Sequence, residues 1–101
     1  MIEIHTACKS IKEAEKIAGI LLKKKIAACA NYFPINSLYL WKGKTVKDKE
    51  ILLIIKTKDE NKNRAIKEIK KCHSYEIPAI IVHESVNANK EYEKWIDDET
   101  D

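Results

Sequence analysis

Glycine and proline are nearly absent: Gly19, Gly43, Pro34 and Pro78 are all that the 101 residues contain. A phosphate-cradling loop needs several glycines at fixed spacing, so a nucleotide fingerprint of that kind is all but excluded, and connecting loops must be short. There is no nucleophile elbow and no HExxH helix. A Cys/His nucleophilic pair could be assembled from Cys29 or Cys72 with His73, but free cysteine is among the most buried residue types and Ala27-Ala28-Cys29-Ala30 is an ordinary core context. We therefore expect no enzyme and no required cofactor. No apolar run approaches the roughly 18 residues of a membrane span, so no membrane partner is expected. The three cysteines, Cys8, Cys29 and Cys72, are odd in number and far apart, with no CxxC pair and no secretory signal at Met1-Ile2-Glu3. Reduced thiols and a cytoplasmic location follow as expectations.

Charge of one sign is also lacking. Against 16 acidic residues stand 19 basic ones, only Arg64 being arginine, for a net charge of +3. The two signs interleave through helix-like segments (Lys9, Lys12, Glu13, Glu15, Lys16), as on a solvated helix surface, so nucleic acid is not implied. Lys23-Lys24-Lys25 falls at a helix end, where cations sit favourably against the macrodipole. The excess of Lys and Glu with abundant Ile leans toward a heat-adapted source and a thermostable protein.

What is present is a folded chain, 45% hydrophobic and 35% charged, of a length that makes residues 1–101 one domain. Its organising stretch is Ala27 to Thr57. It reads as a small-residue strand (Ala27 to Tyr32), a break at Pro34, a strand Ser37 to Trp41, a Lys42-Gly43-Lys44 turn, and a long return strand. In the outer part Leu38 and Leu40 take one face while Ser37, Tyr39 and Trp41 take the other, so both faces carry large apolar surface. A two-stranded ribbon is marginal alone, and we expect a neighbouring subunit to cover this one, with Tyr39 and Trp41 in the interface. The continuous run Ile51 to Ile55 likewise needs cover on both sides.

Around this arm, Ile2 to Ala7 alternates as a half-buried strand. Ser10 and Glu13 form a capping-box pattern ahead of a helix over 11–25, in which Gly19 could allow a close approach to the sheet. Asp59 offers the cap of a second amphipathic helix through Ala65, Ile66, Ile69 and Cys72, ending near His73. Pro78 opens a strand over Ala79 to Val86, and Asn87 or Asn89 caps a last helix carrying Tyr92, Trp95 and Ile96 ahead of a solvated acidic tail, Asp97 to Asp101. The order strand, helix, strand, strand, helix, strand, helix predicts an α+β, ferredoxin-like (split βαβ) antiparallel sheet. Two helices lie on one face, a long β-hairpin protrudes, and a C-terminal helix is added.

One pair invites a metal. Cys72-His73 sets a thiol beside an imidazole at a helix end, a combination suited to copper or zinc, and Cys8, His5 and His83 are candidate further ligands where the fold brings them close. The alternative is that Cys72 packs under its helix while His73 caps the last carbonyls.

At AACANYFPINSLYLWKGK, followed by EILLIIKT, HSYEIP and YEKWI, the sequence resembles the CutA family, the divalent-cation tolerance proteins, over nearly its whole length. The pattern is that of a thermophilic archaeal member. The resemblance implies a fold similar to the PII signalling proteins and a homotrimer whose hairpins wrap neighbouring subunits. It also implies a role in the response to metal ions, with copper binding. It implies too that Cys29, Tyr39, Trp41, Glu50, Lys56, His73 and Tyr75 gather at an inter-subunit cleft. The copper ligands attributed to a bacterial member, a strand cysteine and two adjacent histidines before a tyrosine, correspond here to Thr6, Cys72 and His73. The first two differ, and Cys8 lies on the same strand face as Thr6. The family's HPY is HSY here, with Ser74. A second reading is a PII-like signalling or interaction module, in which Lys56, His73 and Tyr75 hold a small anion.

Overall fold

The computed structural model describes residues 1–101. A first strand β1 (Ile2–Cys8) leads into helix α1 (Ile11–Lys23) and then a long hairpin of β2 (Cys29–Trp41) and β3 (Lys44–Thr57). A single 3-10 turn at Asp59–Asn61 precedes α2 (Lys62–Cys72), followed by a short β4 (Ile81–His83) and α3 (Lys90–Glu99). The four strands form one antiparallel sheet in the order β2-β3-β1-β4. This is the expected split βαβ arrangement with its added C-terminal helix.

Alternation along β1 decides which side is core. Ile2, Ile4, Thr6 and Cys8 are buried on the helix-covered face with Leu53 and Ile55 of β3, where Ala14, Ile17 and Leu21 of α1 and Ala65 and Ile69 of α2 meet them. Ser10 Oγ accepts the Glu13 N–H at 3.1 Å and starts α1 as the motif requires. The helix ends at Lys23, two residues short of expectation. Lys25 takes φ +56° and the Ile26 N–H returns to Leu21 O at 2.9 Å, a left-handed stop. Gly19 does not approach the sheet; a Cβ there would meet nothing within 4 Å.

Two features of the hairpin differ from expectation. Pro34 breaks nothing: β2 is continuous from Cys29 to Trp41, with Pro34 paired opposite Ile51. An edge strand has one side free of ladder bonds, and that is where a missing N–H is tolerated. The tip is a two-residue turn, since Lys42 (φ 51°) and Gly43 (φ 79°) are both left-handed and Trp41 already pairs with Lys44. β1 accompanies β3 only over residues 51–57, so from Glu50 outward the hairpin is a free ribbon that stretches the molecule to 45 Å.

The C-terminal third holds further corrections. Asp59 caps no helix but receives the Met1 α-amino group at 3.3 Å. Asn61 precedes α2 without capping it, and its Nδ2 donates instead to Ile26 O at 3.1 Å. β4 spans three residues rather than eight: Ser85 turns left-handed (φ 56°) just past its end, and Ala79 and Ile80 ahead of it pair with no strand. Asn89 starts α3, and the acidic tail is not simply solvated. Thr100 is buried with its Oγ1 donating to Ile96 O, and the Asp101 N–H donates to Lys25 O. The second sheet face, bearing Glu3, His5, Ala7, Leu52, Ile54 and Lys56, has no helical layer like the first; α3 reaches its Lys56 end.

Candidate functional site

His73 leaves α2 in extended conformation, and its ring turns back onto β1. Nε2 lies 2.9 Å from Ala7 O and Nδ1 3.2 Å from the Tyr75 N–H. A carbonyl oxygen only accepts, so Nε2 carries the proton and Nδ1 takes the amide bond. Both nitrogens are thereby committed. Glu13, buried on α1, does the same with its carboxylate: one oxygen accepts the Lys9 N–H and the other the Ser74 N–H, each at 3.1 Å. With the fully buried Cys8, these two residues place a thiol, a carboxylate oxygen and an imidazole nitrogen within 4.8 Å of one another.

That trio has metal-ligand chemistry but is closed as it stands. Burial, and then the Glu13 and Glu50 carboxylates, push the Cys8 thiol up to about 12, so it stays protonated at neutral pH, and soft metals require the thiolate. The trio acts as a bracket that ties the end of β1, the start of α1 and the loop after α2. Cys72 points elsewhere: it packs against the core along the α1–α2 seam, beside Lys23, Lys24 and Lys71. A single chain therefore joins His73 to Cys8 and not to Cys72. Thr6, on the same buried face as Cys8, keeps its hydroxyl without a partner.

Two residues beyond His73, the chain enters a groove of about 940 Å³ that runs along the arm, from Glu50 to Trp41 near its tip, beside the loop 75–79. Its polar edge is acidic: Asp48, Glu50 and Glu76 line it, with Leu38, Leu40, Trp41 and Ile77 as apolar wall and no basic side chain. The Tyr75 hydroxyl donates to Glu50 Oε2 at 2.7 Å, and Tyr39 donates to Asp48 at 3.2 Å. Burial first, and then that Glu50 carboxylate, raise the Tyr75 phenol well above its ordinary range. Tyr75 is thus a fixed donor that leaves the other Glu50 oxygen for a further partner.

Of the expected site residues, Glu50, Tyr75, Tyr39 and Trp41 meet at this groove, with His73 adjoining it. Lys56 and Cys29 do not. They pair with each other across β2 and β3, six residues along the strand from Glu50, or roughly 20 Å at the rise of an extended chain. The Lys56 ammonium instead lies over the Tyr92 ring, 5.7 Å from its centroid, with Glu3 as its partner on β1. Only a neighbouring subunit could bring Lys56 to another chain's Tyr75. We expect Lys56→Met to lose about 0.5 to 1 kcal/mol, the worth of an exposed cation–π contact. Phosphate should shift melting equally in variant and parent. A phosphate effect lost in the variant would instead make the ammonium an anion holder.

Glu13, Asp48 and Glu76 were not singled out in the sequence. Glu13 was hidden by its capping-box position, although its spacing to Ile17 and Leu21, at i+4 and i+8, puts it on the buried stripe of α1. Asp48 alternates with Val46 and Glu50 on one strand face, and Glu76 follows Tyr75 directly, so both could have been found from Glu50 and Tyr75.

Residues 2–99 match the family model described as CutA1 divalent ion tolerance protein. The chain belongs to the CutA1 family. It is 41% identical over 95 residues to the divalent-cation tolerance protein CutA of Archaeoglobus fulgidus, covering 94% of this chain and 93% of that protein. The CutA protein of Pyrococcus horikoshii is 37% identical over 100 residues, covering 99% and 98%. A crystal structure of CutA1 from Pyrococcus horikoshii superimposes with a TM-score of 0.95 at 37% identity, over all of this chain and 99% of that one. The fold likeness extends to a structure described as the PII-like protein CutA from Nostoc, with a TM-score of 0.92 at 31% identity and coverage of 100% and 98%. Both the family and the PII-like fold implied by the motifs are thereby established.

Proposed function

We propose that this protein is a homotrimeric divalent-cation tolerance protein, a binder rather than a catalyst, that takes a divalent cation into the groove along its arm. One observation carries the reading: Asp48, Glu50 and Glu76 share an open groove of about 940 Å³ that contains no basic side chain. Apolar walls weaken solvent screening, so three carboxylates held there favour a positive ligand. Oxygen donors of this kind suit hard and borderline cations. The same electrostatics argue against an anion in this groove. Copper held by Cys72 and His73, with Cys8 added, is the narrower form of the proposal, and it would need His73 to release Ala7 or Tyr75. The unpaired state of all three cysteines is compatible with a cytoplasmic location, and no helix is long and apolar enough to cross a membrane. One similar structure, from Archaeoglobus fulgidus, is described as periplasmic.

Calorimetry of metal-free protein against magnesium, manganese, zinc and copper tests the assignment. Glu50→Gln should weaken binding of the preferred ion at least tenfold, because it removes the charge while keeping an acceptor for Tyr75. Cys72→Ser combined with His73→Ala should leave that affinity within about threefold of the parent. The reverse pattern, with Glu50→Gln neutral and the double variant inactive toward copper, would move the ion to the thiol–imidazole pair.

A further inference from the structure

The second sheet face carries a pair of histidines with no part in the groove or the bracket. His5 on β1 and His83 on β4 come from strands paired antiparallel, with Glu3 directly opposite His83 and Ile81 opposite His5. The histidines are thus diagonal neighbours on one face, and their ring centroids lie 4.3 Å apart with planes tilted by 52°. Glu3, two residues before His5 and on the same face, accepts a hydrogen bond from His5 Nε2 at 3.1 Å. That is the only hydrogen bond either ring makes. His5 Nδ1 and both nitrogens of His83 remain uncommitted, unlike those of His73. In the single chain the side chains of His5 and Glu3 are 23% and 28% exposed, and His83 is exposed.

We propose that His5 and His83 form a second cation site, for a divalent ion that prefers imidazole, of the zinc, nickel or copper(II) class. Three features converge. Two imidazoles on adjacent strands can close on one ion with little backbone cost, because the sheet already fixes their separation. A carboxylate on the far nitrogen of one imidazole fixes its tautomer and ring orientation and raises its basicity, the arrangement that recurs behind metal-bound histidine. The donor set also differs from that of the groove: nitrogen donors select borderline transition metals, whereas the carboxylates of Asp48, Glu50 and Glu76 serve harder ions. Water completes the coordination. One chain would thereby hold two cation classes at two places, and the imidazole site does not depend on the groove being a cation site.

The experiment uses the full-length protein in its native assembly, freed of metal. Zinc and nickel affinities are measured for the parent, His83→Phe, His5→Phe and Glu3→Gln, and copper(II) is followed by electron paramagnetic resonance. Phenylalanine keeps an aromatic ring in each position, so a pair that only stacks would be little disturbed. His83 is exposed on a three-residue edge strand, and His83→Gln serves as a second variant that adds no apolar surface. Both ring replacements should weaken zinc binding at least tenfold, and Glu3→Gln should weaken it by about threefold to tenfold. The copper signal should show two coupled nitrogens per ion in the parent and one in His83→Phe. Zinc affinity within twofold of the parent in His5→Phe and both His83 variants, or a copper spectrum unaltered by His83→Phe, overturns the proposal.

Discussion

Leu40→Glu should leave the chain folded but unable to assemble. Leu38 and Leu40 are 72% and 74% exposed on one face of the arm, against 39% and 38% for Tyr39 and Trp41 on the other. The leucine side is therefore the barer of the two, a difference that alternation alone could not disclose. From Glu50 outward β3 has only β2 as its neighbour, so nothing in the same sheet is available to extend the ribbon or shield it. Burying a leucine contributes about 1.5 to 3 kcal/mol, whereas an unpaired charge left in a packed contact costs several. The combined effect in each copy of a trimer is enough to abolish assembly at micromolar concentration. Leu40 pairs with Thr45 and finds no cation opposite, while Trp41→Glu would face Lys44 across the ribbon. The tryptophan substitution should accordingly be the milder of the two if the leucine face is the buried one. Sedimentation equilibrium decides the matter: the parent should run as three chains of 11.7 kDa and Leu40→Glu as one, with a lowered melting temperature. A variant that sediments as the parent does, with unchanged melting, would remove the arm's leucine face from the interface.

How far sequence reasoning reached depended on the range of the interaction behind each feature. Alternation in Ile2 to Ala7 and the apolar stripe of α1 are local, and both elements appeared where the pattern put them to within one or two residues at their ends. The arm was equally legible, because Lys42-Gly43 demands a tight turn and the flanking residues alternate. Pro34 misled because its effect depends on β2 being an edge strand, and strand order is a property of the whole sheet. β4 is shorter than its pattern at both ends: the left-handed Ser85 that stops it has no local signature beyond a common loop residue, and Ala79 and Ile80 lack a partner strand, which only the whole sheet determines. The site divided along the same line. Glu50 and Tyr75 were named and are hydrogen-bonded to each other, but the acidity of their groove needs Asp48 and Glu76, and Glu76 lines it only because the loop 75–79 folds beside the arm. Cys72 and His73 are adjacent in sequence, yet the helix end that separates them sends one to the α1–α2 seam and the other to β1.

Glu13 should prove the most costly single carboxylate to remove. It is 8% exposed and accepts two backbone N–H groups, Lys9 just ahead of the helix and Ser74 from a loop 61 positions along the chain. A bond to a charged acceptor contributes about 1.5 to 3 kcal/mol, and Glu13→Ala would leave both amides without their partner beside the buried Cys8. We expect a loss of roughly 3 kcal/mol after partial rescue by water, or on the order of 10 to 20 °C in melting temperature for a domain of this size. The pH dependence carries the same signature. Burial alone would raise the Glu13 carboxyl, but the contacts from Ser74 and Lys9, aided by His73, outweigh it and hold the group below its ordinary value. A depressed folded-state value means that the unfolded chain binds this proton first. The stabilisation is therefore fully present above the ordinary glutamate range and is lost as pH falls through that range toward the lower folded-state value. Glu13→Gln keeps one acceptor and no charge, so it should fall between parent and Glu13→Ala near neutrality and converge on the parent in acid. Thermal melts of the three proteins from pH 7 down to pH 3 measure this. Parallel melting curves, with the gap between Glu13→Gln and parent constant across the range, would mean that the bracket holds by shape rather than by charge.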